Sequence, residues 1–405
     1  MRVLFVHRTF PSQFRCLAAA LGKDPQHRVC FLTTTREQEI PGVRKIFYDV
    51  EKKPDSSVHA YVRHMESSLY YGLSAYASAW KLKKEGWIPD VIVGHSGWGP
   101  LLFLKELFPK TPLVGYFEWF YRAQGSSHGF DPAQSVTADM AAEIRTKNIP
   151  ILHELYSADA GITPTFWQQA QFPAEYHGKI RVLHDGMDTN FFQPKEGAKL
   201  VLPRQRLDLS GAEEIVTYVT RAMEPMRGFP QFMEAVAEIQ RHRPKCHVVI
   251  VGNDRTEYGK PRDDGKTYRQ WALENFTYDP ARLHFTGPLL LEEYRAVLQA
   301  SSVHIYLTYP YILSWSFLEA MACGCMMISS RTAPVQEVMK DGENGLLVDF
   351  FASEQIADRV DQVFAEPEAA RRMREQARQT VLEKYSFQTL YPQHLAFLQE
   401  VAGKK

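Results

Sequence analysis

Short apolar, β-branched runs alternate along this chain with longer stretches of helical periodicity, and that alternation is what a parallel α/β sheet requires. Strands buried on both faces read as continuous apolar runs, and a parallel neighbour can be reached only through a crossover, usually a helix. The first half offers candidate strands at 3–7, 29–33, 91–95, 113–117, 160–163 and 180–184, with helical patterns at about 11–21, 57–86, 99–107, 137–157 and 165–171. A second series begins near Glu214, with strands at 215–220, 247–251, 284–286, 303–307, 326–329 and 346–348. Its helices fall at about 229–241, 291–300, 315–323, 334–340 and 353–363. Two series imply two doubly wound sheets, and 405 residues suit two or three domains. The join is expected between Phe192 and Ala212, where Pro194, Pro203 and mixed charges interrupt the apolar pattern. From Glu366 the chain is helical in pattern, with Ser386 a candidate N-cap for a last helix.

Acidic and basic residues balance at 47 each, so no global field favours nucleic acid or an anionic membrane. The five cysteines are odd in number and scattered, which suits reduced thiols; Cys323-Gly-Cys325 lacks the second ligand pair of a zinc site. The apolar start at 3–6 is too short for a signal peptide, and no run approaches the ~20 residues of a membrane span. A cytoplasmic protein is expected, with no nucleic-acid partner and no metal. The stretch from Trp80 to Trp87, WKLKKEGW, allows peripheral contact with the inner face of a membrane carrying a lipid-linked acceptor, although a solvated helix end is the plainer reading.

Ligands of such sheets bind beyond the carboxyl ends of the strands. His7 and Arg8 follow the first strand, and His95, Glu118 and His184-Asp185-Gly186 follow later ones. Arg221-Ala-Met-Glu-Pro-Met-Arg227-Gly228 leaves a strand and opens a helix, so two guanidiniums can converge on one diphosphate; a pair of solvated arginines is the plain alternative. In SWSFLEAMACG, 314–324, Ser314 or Ser316 can cap a helix whose first amides form an anion site, and Trp315 lies between them. Glu319, among Phe317, Leu318, Met321 and Ala322, can accept both hydrogen bonds of a ribose diol, or else is an exposed helix glutamate. Gly252-Asn253 and Gly287-Pro288-Leu289 sit in post-strand loops able to hold a base, a weak signal in any α/β protein. Asp90–Gly99 and Val114–Arg122 add His95, Glu118 and aromatic faces suited to sugar.

These motifs resemble the retaining glycosyltransferases of family 4, which have the GT-B fold: two doubly wound Rossmann-like α/β domains facing a central cleft. The likeness rests on Phe317-Leu-Glu319-Ala-Met-Ala-Cys-Gly324, Pro334-x-x-Glu337, Asp341-Gly342, Asn344-Gly345 and residues 346–348, with Arg221 and Arg227-Gly228 resembling the diphosphate-binding Arg and Lys-Gly. His184-Asp-Gly186-x-Asp188 is similar to the segment leading into the interdomain linker. The chain departs from the pattern at three places. Tyr311 stands where the first of two paired glutamates usually lies, Glu118 stands where a histidine is usual, and Thr9-Phe-Pro-Ser-Gln-Phe14 replaces a Gly-Gly loop.

The resemblance implies an acceptor domain over 1–195, a nucleotide-sugar domain over 196–380, and a last helix at about 386–402 packed back on the first. It implies transfer of a hexose, with retention, from a UDP- or GDP-linked donor to a glycan or lipid-linked acceptor in cell-surface polysaccharide or glycoconjugate synthesis. No cofactor is expected beyond that donor. Arg221, Arg227, Glu118 and His95 are the catalytic candidates; Glu319, Ser314, Trp315, Ser316, Gly252, Asn253, Gly287, Leu289 and Tyr311 are the donor-binding ones. A nucleotide-sugar epimerase and a non-catalytic sugar-nucleotide-binding subunit of a polysaccharide assembly complex remain alternatives.

Overall fold

The computed structural model describes residues 1–403, which divide into two compact units: 1–186 with 387–403, and 187–386. The first holds an all-parallel sheet of β1 (Arg2–Val6), β2 (Arg28–Thr33), β3 (Val43–Phe47), β4 (Val91–His95), β5 (Leu113–Tyr116), β6 (Ala160–Thr163) and β7 (Ile180–Val182), in the order β3-β2-β1-β4-β5-β6-β7. The second opens with a two-stranded antiparallel pair, β8 (Leu200–Leu202) and β9 (Leu207–Leu209). It continues with β10 (Glu214–Ala222), β11 (Cys246–Asn253), β12 (Leu283–Gly287), β13 (Val303–Tyr306), β14 (Met327–Ser330) and β15 (Leu346–Val348), in the order β12-β11-β10-β13-β14-β15. Each sheet therefore reverses its winding once, between β1 and β4 and between β10 and β13. Such reversals are where ligands of doubly wound sheets sit.

The strands form because their residues are wanted on both faces. In β1, Phe5 packs under the helices Arg15–Lys23 and Phe387–Gly403, while Leu4 and Val6 face the layer that includes Ala60–Lys84. The last helix belongs to the first unit: Leu390, Phe397, Leu398 and Val401 complete the cluster around Phe5, and His394 Nε2 donates to the His184 carbonyl at 2.8 Å. In the second unit Phe317, Leu318 and Met321 are buried with Phe192 and Val381. Phe192 thus packs inside the second unit, which places the division at Gly186/Met187, before the 192–212 stretch where composition changes.

Elements absent from the apolar pattern share a cause. The edge strand β3 carries Arg44 and Lys45, the β8–β9 pair holds three residues a strand, and the helix Tyr268–Asn275 buries only Ala272 and relies on a Thr267/Gln270 capping box. The helix expected over 137–157 is two, Ala138–Thr146 and Ile149–Ser157. Asn148 breaks it by bonding both backbone groups of Tyr121, and Pro150 starts the second segment. The helix expected at 99–107 shrinks to Leu104–Leu107, because Gly97 and Gly99 hold φ of +93° and +99° in a turn.

Candidate functional site

At the reversal in the first unit, His95 ends β4 and Glu118 follows β5. His95 Nδ1 points at the Ser96 carbonyl (2.8 Å) and Nε2 at Glu118 Oε2 (3.3 Å), so only a doubly protonated ring donates to both. Gln13 donates to Glu118 Oε1 at 2.8 Å. Burial alone would raise the Glu118 carboxyl; the hydrogen bond and charge of His95, with Gln13, outweigh it and hold the group below its ordinary range. His7 stands edge-on to His95, ring centres 4.8 Å apart, and burial together with His95 keeps its imidazole well below the usual value. Its Nδ1 accepts the Thr9 amide, consistent with a neutral ring. Tyr116 donates to Asp185 at 2.5 Å behind this group. Strand ends from β1, β4, β5 and β7 so converge on one small polar cluster.

Glu154, on the helix Ile149–Ser157, was not singled out by sequence and lies directly beneath. It is 1% exposed and accepts from Ser96 Oγ (2.7 Å) and the Gly97 amide (2.6 Å), while its other oxygen is buried without a hydrogen bond. Burial pushes its carboxyl up to about 7.

In the second unit Arg227 is half-buried. Its Nη1 donates to Thr308 Oγ1 (2.8 Å), the Ile312 carbonyl (3.3 Å) and Tyr306 Oη (3.4 Å). All three are neutral, and the guanidinium has no ion pair among the described residues. Arg221 does not share this cradle: it is exposed and pairs with Glu257 Oε1 at 2.7 Å. Glu224, missed by sequence reasoning inside the arginine motif, explains the arrangement. Fully buried, its Oε2 collects the amides of Glu257, Tyr258 and Gly259 at 3.0, 2.9 and 2.9 Å. That pins a turn which sets Glu257 on Arg221 and the Tyr258 ring 5.8 Å from the Arg227 guanidinium.

Glu319 is 7% exposed, which removes the exposed-glutamate alternative, and its Oε2 accepts from Tyr294 Oη at 2.7 Å. Burial and the Glu319 charge push the Tyr294 phenol well above its ordinary value, so it stays a donor. Ser314 is the N-cap of Trp315–Ala322, yet neither serine caps it by side chain: Ser314 Oγ bonds Ser316 Oγ at 2.5 Å, and the Ser314 amide donates to Tyr306 Oη at 2.9 Å. That ties the helix start to the residue that also holds Arg227. Trp315 packs on the core beside it. Tyr311 lies 5.8 Å, ring to ring, from Tyr258 and so joins the same group.

The glycine loops divide in two. A Cβ on Gly252 would meet the Thr220 carbonyl oxygen at 2.1 Å at φ +144°, so Gly252 is required by the β10–β11 approach, where Asn253 also bonds the Arg221 carbonyl. Gly287 has open space around it, and Leu289 packs on the cluster of Leu200, Leu202 and Val297. A cavity of about 900 Å³ opens near Leu200, Ile215 and Ser301, at the amino ends of β10 and β13 and away from all these groups.

Residues 25–192 match the glycosyl transferase family 4 group, and residues 203–380 the glycosyl transferases group 1. The chain belongs to glycosyltransferase family 4. This family 4 member is 28% identical over 209 residues to a D-inositol 3-phosphate glycosyltransferase of Segniliparus rotundus, covering 50% of the chain and 43% of that protein. It is 27% identical over 211 residues to the lipopolysaccharide core biosynthesis glycosyltransferase LpsE of Rhizobium meliloti, covering 51% and 55%. The chain thus spans about half the length of the curated relatives it matches. Among solved structures, HepE of Anabaena in complex with UDP-glucose aligns with a TM-score of 0.69 at 15% identity, over 99% of this chain and 100% of that one. Sucrose-phosphate synthase of Thermosynechococcus elongatus aligns at 0.72 and 17%, over 100% of both. The family 4 member accordingly has the GT-B fold, two parallel Rossmann-like domains. None of its described helices is long and apolar enough to cross a membrane. In the Trp80–Trp87 stretch, Trp87 packs inward while Trp80 is exposed under Lys84.

Proposed function

We propose that this chain transfers a hexose from a UDP- or GDP-linked donor to an acceptor hydroxyl, with retention and without a metal, in polysaccharide or glycoconjugate synthesis. The observation that carries the reading is Arg227: a half-buried cation, oriented by neutral oxygens and left without a counter-charge. Desolvating a guanidinium without an anion is unfavourable, and a diphosphate supplies the missing charge. Glu319 then takes the ribose hydroxyls, and Arg221, already partnered by Glu257, has the lesser part.

In the reaction, the bond from the anomeric carbon to the diphosphate oxygen breaks and a bond to the acceptor oxygen forms on the same face. The acceptor proton passes to the departing phosphate, whose growing charge Arg227 stabilises. His95 and Glu118 orient the sugar and acceptor hydroxyls. The curated relatives, sugar transferases by name, and the binding of UDP-glucose by HepE support the donor class.

Arg227→Ala is expected to lower kcat about 100-fold, the scale of losing one charged donor to a developing anion. Glu319→Ala is expected to raise the donor KM about tenfold with a smaller effect on kcat. Steady-state kinetics with a radiolabelled donor, and the anomeric coupling of the product by nuclear magnetic resonance, measure both claims. Near wild-type kcat/KM in both variants contradicts the assignment.

A further inference from the structure

Beside the His95 group, the first unit carries a cation that nothing above employs. Arg8 leaves β1 at the same sheet edge with its guanidinium carbon 4.4 Å from the Tyr71 ring centre and 4.9 Å from that of Trp98. Both rings attract the cation through their faces, and neither takes up its N–H groups as a hydrogen-bond acceptor would. No carboxylate or carbonyl takes them among the described residues: Arg8 contributes only its backbone oxygen to hydrogen bonds, received from Thr33, Thr34 and the Thr34 amide. Two further polar atoms nearby lack partners. Tyr48 Oη is buried and unbonded, close enough to Arg8 for the guanidinium to act on its ionisation. His64 Nε2 is also buried and unbonded, its ring edge-on to Trp98 at 6.3 Å and within reach of the Arg8 charge. Buried polar groups are nearly always satisfied, so two such atoms in the neighbourhood of a cation that has no ion pair among the described residues suit an anionic ligand.

The surroundings are built to keep it so. Trp98 sits between Gly97 and Gly99, both at positive φ. A Cβ on Gly99 would lie 2.0 Å from the Ser68 carbonyl, and one on Gly72 would lie 2.8 Å from the Gly99 carbonyl. The turn therefore packs backbone to backbone on the helix Ala60–Lys84, which also carries Tyr71 and His64. From the other side Glu154 holds Ser96 and Gly97. The turn that carries Trp98 is thus anchored from two sides, whereas an incidental stack on a mobile side chain needs neither anchor.

We propose that Arg8, with Tyr71 and Trp98 as walls and Tyr48 and His64 as hydrogen-bonding groups, forms a subsite for a negatively charged group, phosphate or carboxylate, on the acceptor. The word acceptor rests on the transferase reading above; the anion site itself does not. Exposed Trp98 gives such a ligand access, and its face can stack on the sugar that bears the charge.

Calorimetric titration of the full chain with D-glucose 6-phosphate, D-glucuronate and neutral methyl α-D-glucoside tests this, with UDP titrated separately. Wild type is expected to bind at least one anionic sugar about tenfold more tightly than the neutral one, the scale of one charge-assisted contact. Preference for glucose 6-phosphate alone marks a phosphate subsite, and preference for glucuronate alone a carboxylate subsite. Arg8→Met keeps much of the apolar stacking and is expected to abolish the preference while leaving UDP affinity unchanged; Arg8→Lys is expected to retain part of it. Absence of any preference in wild type, or its survival in Arg8→Met, overturns the proposal. A chain that binds the anionic sugars but not UDP contradicts the transferase reading and keeps the anion site. One that binds UDP without anion preference loses the anion site alone.

Discussion

Glu154 has a measurable signature of its own. A carboxyl held near 7 binds its proton more tightly folded than unfolded, where the ordinary value of 4.5 applies. Its stabilising contribution is complete below about 4.5 and is lost as pH rises through about 7, amounting to about 3 kcal/mol over that window. In Glu154→Gln, which keeps an acceptor for Ser96 and Gly97, that pH dependence is expected to vanish. Urea unfolding at pH 5 and pH 8 reads it: wild type loses stability relative to the variant at the higher pH, whereas equal changes contradict it. At the same scale, two of the departures from the family pattern are in contact, since Gln13, from the segment replacing the glycine loop, donates to Glu118, which replaces the histidine. The third, Tyr311, lies with Tyr258 near Arg227 in the other unit. Each departure is legible on its own in the sequence, but the bond between Gln13 and Glu118 joins residues 105 apart and is made only by the fold. Glu224, Tyr294 and Glu154 stayed hidden because a buried carboxylate or phenol on a helix or turn has no periodicity to betray it.

Among the elements, legibility followed burial. Every strand of the two sheets except β3 was visible: the inner ones because strands covered on both faces are apolar throughout, the edge strands β7 and β12 from short apolar runs despite their partial exposure. The solvent-edged β3, the three-residue β8 and β9, and the polar helix Tyr268–Asn275 had nothing to report in that code. The break at Asn148 was half legible: Pro150 marks a helix start locally, whereas the Asn148 side chain bonding the backbone of Tyr121 is a tertiary event. The reverse holds for Gly252, whose loop position was legible but whose reason was not. It is required by strand approach, with Thr220 oxygen 2.1 Å from where a Cβ would sit at φ +144°. Gly252→Ala is therefore expected to destabilise the chain by about 3 kcal/mol or more through combined clash and backbone strain. Chemical denaturation measures it, and a loss below about 1 kcal/mol would show that the β10–β11 junction relaxes freely.

At the scale of the molecule, the same winding appears twice, and each sheet gathers its polar residues at its reversal. The two ends differ in chemistry. The first unit presents the His95–Glu118 pair and the stacked Arg8; the second presents an uncompensated Arg227, a buried Glu319 and a ring of tyrosines. Such a division suits an acceptor on one unit and a nucleotide on the other. A ligand that binds only the folded chain raises its melting point by mass action. The most direct test of the central claim is therefore thermal unfolding of the whole chain against UDP-, GDP- and ADP-sugars, for wild type and Arg227→Ala. A concentration-dependent rise with a UDP- or GDP-sugar, lost in Arg227→Ala, is the expected result. No rise with any nucleotide sugar, or a rise undiminished in the variant, contradicts it.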